Sequence, residues 1–475
     1  MSAPETHLAD LDVAEIVRRT TAGEVTSLEV VEACLGRIAA RDPALNAFSL
    51  VLADEARAEA GRRDAARAAG ETPGPLHGVP VAVKEELDVA GCVTTFGGRG
   101  NVTPATADGE IVRRLRAAGA VIIGKTRMPE FGQWPFTESK AGSCTRNPWD
   151  LSRTPGGSSG GTAVAVAAGM VPVGIGGDGG GSIRIPSACC GLFGLKPSRG
   201  RTSTAPVEQL WWALGTAGPL ARTVLDSALV YDAVRGNVAS DRFTAPDPAT
   251  SFVEAARAEP GRLRIGWSTK PVSKGVRPHR EHVEAVRATA RLLEDLGHEV
   301  REVDPHYPDP TPAFVPQFLA GVRAEADAVE HRDRLEPRTQ EVYRLGAWVR
   351  PAVVRWALRA GERLATKADR IFSDVDVLLT PTIAPRPRKV GALNRGGAVV
   401  LAARSTPMIA YTALWNVTGH PAASVPAGTG SDGLPLAVQL VGRRLDEATL
   451  LSLGAQLERA RPWSMPVLDE DGTPA

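Results

Sequence analysis

The chain has 475 residues, 43% hydrophobic and 23% charged, with a formal net charge of +1. Such a composition supports a large buried core but gives no global field to recruit nucleic acid or an anionic membrane. No apolar run is long enough to span a bilayer, so no membrane association is expected. The polar, acidic start Met1–Asp10 lacks a signal-peptide pattern. Cys34, Cys92, Cys144, Cys189 and Cys190 are odd in number and contain no C-x-x-C pair, which argues for a reducing compartment and a cytoplasmic protein. The sequon Asn416-Val417-Thr418 then carries no meaning for glycosylation.

In chain order, Thr26 and Glu29 have capping-box spacing ahead of Val31, Cys34, Leu35 and Ile38 at helical intervals. A second helix is expected over 53–69, so the region 1–70 reads as helical. Val79 to Val83 reads as a buried strand running into Lys84. Residues 111–118 read as a helix and 120–124 as a strand. The small apolar stretch 162–169 is expected to be a helix packed on every side, with a strand over 171–175 after it. Further strands are expected at 263–266, 299–303, 375–379, 423–425 and 436–441, alternating with helical patterns. A mostly helical subregion covers about 312–372. The expected fold is α/β: one large domain over 1–475, a central mixed sheet with helices on both faces.

Two glycine-rich turns stand out, Gly156-Gly157-Ser158-Ser159-Gly160-Gly161 and Asp178-Gly179-Gly180-Gly181-Ser182. Glycine lets backbone N–H groups approach a ligand closely, and a serine among such groups has the equipment of acyl transfer. Gly156 to Gly160 formally reads G-x-S-x-G, a nucleophile elbow. That elbow needs a hydrophobic strand before it, whereas 147–155 is polar and contains two prolines. The elbow reading fails.

A Ser-His-Asp triad also finds little support, because the eight histidines are scattered over helices and loops. No H-E-x-x-H, Cys/His cluster or phosphate-binding loop is present, so neither a metal nor a cofactor is expected. Lysine is left as the base. Lys84 ends an apolar strand, where burial could lower its pKa and make it a proton acceptor; equally, it could pair with Glu85 or Glu86.

The segment Gly74-Pro75-Leu76-His77-Gly78-Val79-Pro80-Val81-Ala82-Val83-Lys84, the two glycine turns, and Ser182-Ile183-Arg184-Ile185-Pro186 strongly resemble the amidase signature family. So do 191–197, 218–224 and 433–439, so the resemblance runs through most of the chain in order. It implies a C–N hydrolase with a Ser-cisSer-Lys triad: Ser182 the nucleophile, Ser158 the bridging serine on a cis peptide, Lys84 the base. The N–H groups of Gly179, Gly180, Gly181 and Ser182 would form the oxyanion hole. Ser159, Asp178 and Arg184 match positions that organise the turns.

The sequence departs from the family at Gly177, where threonine is frequent, at Glu85-Glu86, where aspartate commonly follows the lysine, and at 187–190. Its wording is similar to that of aryl acylamidase, nylon-oligomer hydrolase and urethanase-like members. Trp134, Phe136, Trp211, Trp212 and Trp415 are expected either to rim a pocket or to pack in the core; rimming would suit bulky or aryl amides. The implied partners are a small-molecule amide or carbamate and water, with a homodimer left open. The alternative is the amidase-type subunit of a tRNA-dependent amidotransferase.

Overall fold

The computed structural model describes residues 7–208, 210–393 and 396–474. Eleven strands form one mixed sheet. Its order is Phe48–Val51, Val121–Thr126, Pro80–Lys84, Val173–Gly177, Ala217–Ala221, Phe193–Lys196, Ala422–Thr429, Pro435–Gly442, Val377–Pro381, Arg264–Trp267 and Glu299–Glu302.

Alternation along the strands decides which helices cover which face. Val81, Val83, Ile122, Val173 and Ile175 join one core cluster with the apolar faces of Glu110–Ala117, Val224–Val234, Arg280–Asp295 and Glu447–Ala460. Their neighbours Ala82, Val121 and Ile123 point the other way, into a cluster with Ser27–Leu45, Gly160–Ala167 and Arg184–Cys190. Gly160–Ala167 is buried at every residue, as its small side chains require. The Thr26–Glu29 capping box is present with both of its reciprocal hydrogen bonds.

Pro80–Lys84 lies between Val121–Thr126 and Val173–Gly177 and is parallel to both. Two adjacent parallel strands therefore end side by side, one in Lys84 and the other in the glycine turn 178–183. Ligands of open α/β sheets bind beyond such carboxyl ends. The helices Thr311–Ala328, Pro337–Leu345 and Pro351–Asp369 build a further layer over this end. Phe131, Trp134, Leu319, Val322 and Val342 pack together beneath it.

Elements near the site that were not read from sequence include the strands Phe193–Lys196 and Ala217–Ala221 and the helix Arg184–Cys190. The first two are glycine-interrupted, and the helix contains Pro186, so none shows a clean period. Among the described residues, no helix is long and apolar enough to cross a membrane.

Candidate active site

Every residue from Thr154 to Cys190 is buried except Gly180 and Ser182. The two glycine turns are thus interior structures with one opening, and a serine stands at it. Ser182 and Gly180 line a cavity of about 450 Å³. Its walls include Trp134, Trp211, Phe314 and Phe318.

Behind Ser182 is a chamber of about 20 Å³, bordered by Lys84, Glu86, Ser158 and Ser182. Lys84 is 1% exposed. Its Nζ donates to Ser158 Oγ at 2.9 Å and lies 3.1 Å from Glu86 Oε2. Of the pairings its sequence position left open, the one with Glu86 is present, beside the contact with Ser158. Glu85 instead accepts from Thr95 Oγ1 at 2.5 Å. The Gly157–Ser158 peptide is cis. Ser159 N donates to Ser182 O at 3.4 Å, tying the two turns together.

Two departures from the family wording are coupled in space. A Cβ at Gly177 would collide with Glu86 Oε1. A side chain at 177 would therefore occupy the place of the Glu86 carboxylate beside Lys84. The glycine and the glutamate fit as a pair.

The second turn is held by charge. Asp178 and Arg184 are fully buried and paired at 3.0 Å. Asp178 Oδ1 accepts from Gly181 N at 2.7 Å, and Oδ2 from Ile183 N at 3.1 Å. Arg184 also donates to Gln439 Oε1 at 2.8 Å and Asn416 Oδ1 at 2.7 Å. Burial pushes the Asp178 carboxyl up, but the Arg184 guanidinium outweighs it and holds the group down at about 2. Ser159 Oγ donates to Gly177 O at 3.1 Å, closing the turn from below.

These contacts correct the expected oxyanion set. The Gly181 N–H is already committed to Asp178, so it cannot face a ligand; those of Gly179, Gly180 and Ser182 carry no such bond. The aromatic set is corrected as well. Trp134 and Trp211 line the large cavity, but Phe136, Trp212 and Trp415 do not. Phe136 is fully buried and stacks behind Trp134 with ring centroids 6.2 Å apart. Trp415 is a core residue packed edge-on against Tyr307 and Phe372. The Arg242 guanidinium sits 5.7 Å over the Trp212 ring.

Sequence reasoning missed Asn416, Gln439 and Glu325 as site residues, and named Glu86 only as one of two possible partners of Lys84. Only Gln439 lay in a segment that carried the family resemblance. Asn416 had attention as a sequon, yet its Nδ2 donates to Asp178 Oδ1 at 2.8 Å.

The sheet end thus gathers a buried serine–lysine contact, a serine at a cavity mouth and glycine amides without a hydrogen bond. Residues 29–451 match the amidase family, and the chain belongs to that amidase signature family of amide hydrolases. AmiB2 of Mycobacterium tuberculosis, which carries an amidase name, is 49% identical over 97% of this chain and 98% of its own. A glutamyl-tRNA(Gln) amidotransferase subunit from Roseiflexus castenholzii is 37% identical over 98% of this chain and 100% of its own. Among solved structures, 6-aminohexanoate cyclic dimer hydrolase with its substrate matches at TM-score 0.89 and 31% identity, covering 96% and 98% of the two chains. A bacterial aryl acylamidase matches at TM-score 0.85 and 28% identity, covering 95% and 96%.

Proposed function

We propose that the protein hydrolyses bulky amides through a Ser182–Ser158–Lys84 triad. The observation that carries this reading is the Lys84 Nζ to Ser158 Oγ contact of 2.9 Å, buried directly behind the partly open Ser182. Lys84 Nζ takes the Ser158 proton while Ser158 takes that of Ser182. Ser182 Oγ bonds to the amide carbon, and the carbonyl electrons move to its oxygen. The amides of Gly179, Gly180 and Ser182 support that oxyanion; one such donor is worth about 3 kcal/mol of barrier. Glu86, 3.1 Å from Nζ, stabilises the ammonium so formed. The proton returns through Ser158 to the leaving nitrogen, the C–N bond breaks, and an acyl-enzyme remains. Water then attacks by the same route and releases the acid.

The apolar walls of the large cavity favour substrates with a bulky apolar portion, including aryl amides and, by the same chemistry, carbamates and esters. The higher identity to AmiB2 than to the amidotransferase subunit favours a free-standing hydrolase over a glutaminase subunit. Purified wild type and Ser182→Ala should be assayed on anilides, aliphatic amides, carbamates and glutamine. Ser182→Ala is expected to lose at least about ten-thousandfold in kcat. Unchanged turnover in that variant would sink the mechanism.

A further inference from the structure

The two spaces that meet at Ser182 are chemically unlike, and the proposed proton route orients a substrate between them. Lys84 and Ser158 border the small chamber but not the apolar cavity. The leaving nitrogen must reach the group that protonates it, so it faces the chamber and the acyl group fills the apolar cavity.

Beyond the chamber lies a second cavity of about 350 Å³. Glu86, Leu210, Trp211 and Glu325 line both spaces, so the two adjoin at these residues. Asp88, Glu110 and Glu208 add three more carboxylates to its wall, and no lysine or arginine lines it among the described residues. Much of that charge is already answered. Glu110 is paired with Arg113 and Arg114, Glu208 lies 3.5 Å from Arg242, Asp88 accepts from Thr94, and Glu86 faces Lys84.

Glu325 differs. Its Oε1 accepts from Trp211 Nε1 at 3.0 Å, but Oε2 is buried with no hydrogen-bond partner. A buried acceptor without a donor is costly, so the site lacks a donor at this point.

We propose that this second cavity binds the amine portion of the substrate as a cation. The amides turned over would join an apolar acyl group to an amine whose far end carries a second, protonated amino group, recognised by Glu325 beside Glu86. This inference rests on the triad reading, which sets the direction of the leaving nitrogen. Burial, against the Trp211 hydrogen bond and with the negative charge of Glu86, pushes the Glu325 carboxyl up to about 8, so a cation bound near neutral pH would displace its proton. A cation held there would compensate both effects. Glu325 and Trp211 thus set specificity on the amine side, as the apolar cavity does on the acyl side.

The test uses the full-length protein and two benzamides of matched length, one made from diaminobutane and one from pentylamine. Nitrophenyl benzoate, with no amine portion, serves as the control. Wild type should prefer the diaminobutane amide by roughly tenfold to a hundredfold in kcat/KM, the range of one charge-assisted contact. Glu325→Gln, which keeps an acceptor for Trp211, should bring the two amides near parity, and Glu325→Asp should restore part of the preference. Ser182→Ala protein should bind free diaminobutane more tightly than pentylamine by calorimetry, a readout that needs no change at 325. Equal or reversed preference in wild type, or a preference that survives Glu325→Gln, would overturn the inference. In that case, Ser182-dependent ester turnover would leave the triad reading standing; loss of ester turnover as well would remove both.

Discussion

The two glycine turns are nearly alike in composition, yet different forces hold them. The turn 156–161 is shaped by contact. A Cβ at Gly157 would fall 2.5 Å from Phe136 N, and one at Gly161 would fall 2.5 Å from Ala47 O. Here glycine is needed because rigid backbone passes too close for a side chain. The turn 178–183 is shaped by charge, with its amides gathered around Asp178 and Asp178 locked to Arg184. The first turn delivers a single hydroxyl to Lys84. The second exposes a serine beside unbonded amides. Glycine content alone does not distinguish a sterically closed turn from an electrostatically organised one.

Removing what the contact-shaped turn serves should have the largest effect. Lys84→Met is expected to lower kcat at least about a thousandfold while the fold persists, because a general base contributes about 10²–10⁴ and Ser158 loses its partner. Steady-state kinetics with a circular dichroism melt would check this, and near-wild-type turnover would remove Lys84 from the mechanism.

Next comes the charge-shaped turn. Asp178→Asn leaves Arg184 buried without its anion, a change that typically costs about 3–5 kcal/mol. The pH dependence gives a second reading. The folded-state carboxyl is depressed to about 2 from an ordinary 3.8. Its contribution is therefore complete above about pH 4 and is lost as pH falls through about 2. Melting temperatures across that window should show an acid-sensitive component in wild type that Asp178→Asn lacks.

The smallest effect in this series belongs to Gly157→Ala, with overpacking worth about 1–3 kcal/mol. Its loss should be independent of pH. A pH-dependent loss at Gly157, or a pH-independent one at Asp178, would erase the distinction between the turns.

The sequence alone singled out Lys84, Ser158 and Ser182 as candidates, because glycine runs and an apolar strand ending in lysine are local patterns; their roles came only with the family resemblance. It also placed strands at 79–83 and 171–175, one and two residues before the observed Pro80–Lys84 and Val173–Gly177, whose hydrophobic runs are buried on both faces. Aromatic residues were legible as large apolar groups but not by direction. Trp134 reaches the cavity, while Phe136, two residues on, lies behind it. That outcome depends on what each side packs against.

Tertiary structure alone decided the rest. It coupled Gly177 to Glu86, committed the Gly181 amide to Asp178, and brought Asn416 and Gln439 to Arg184. It also carried Glu325, on the helix Thr311–Ala328, to the far side of Trp211. The physical reason is range. Backbone conformation and burial periodicity are written within a few neighbouring residues. Hydrogen-bond partners and charge compensation inside a core are settled only when distant strands and helices close around the same atoms.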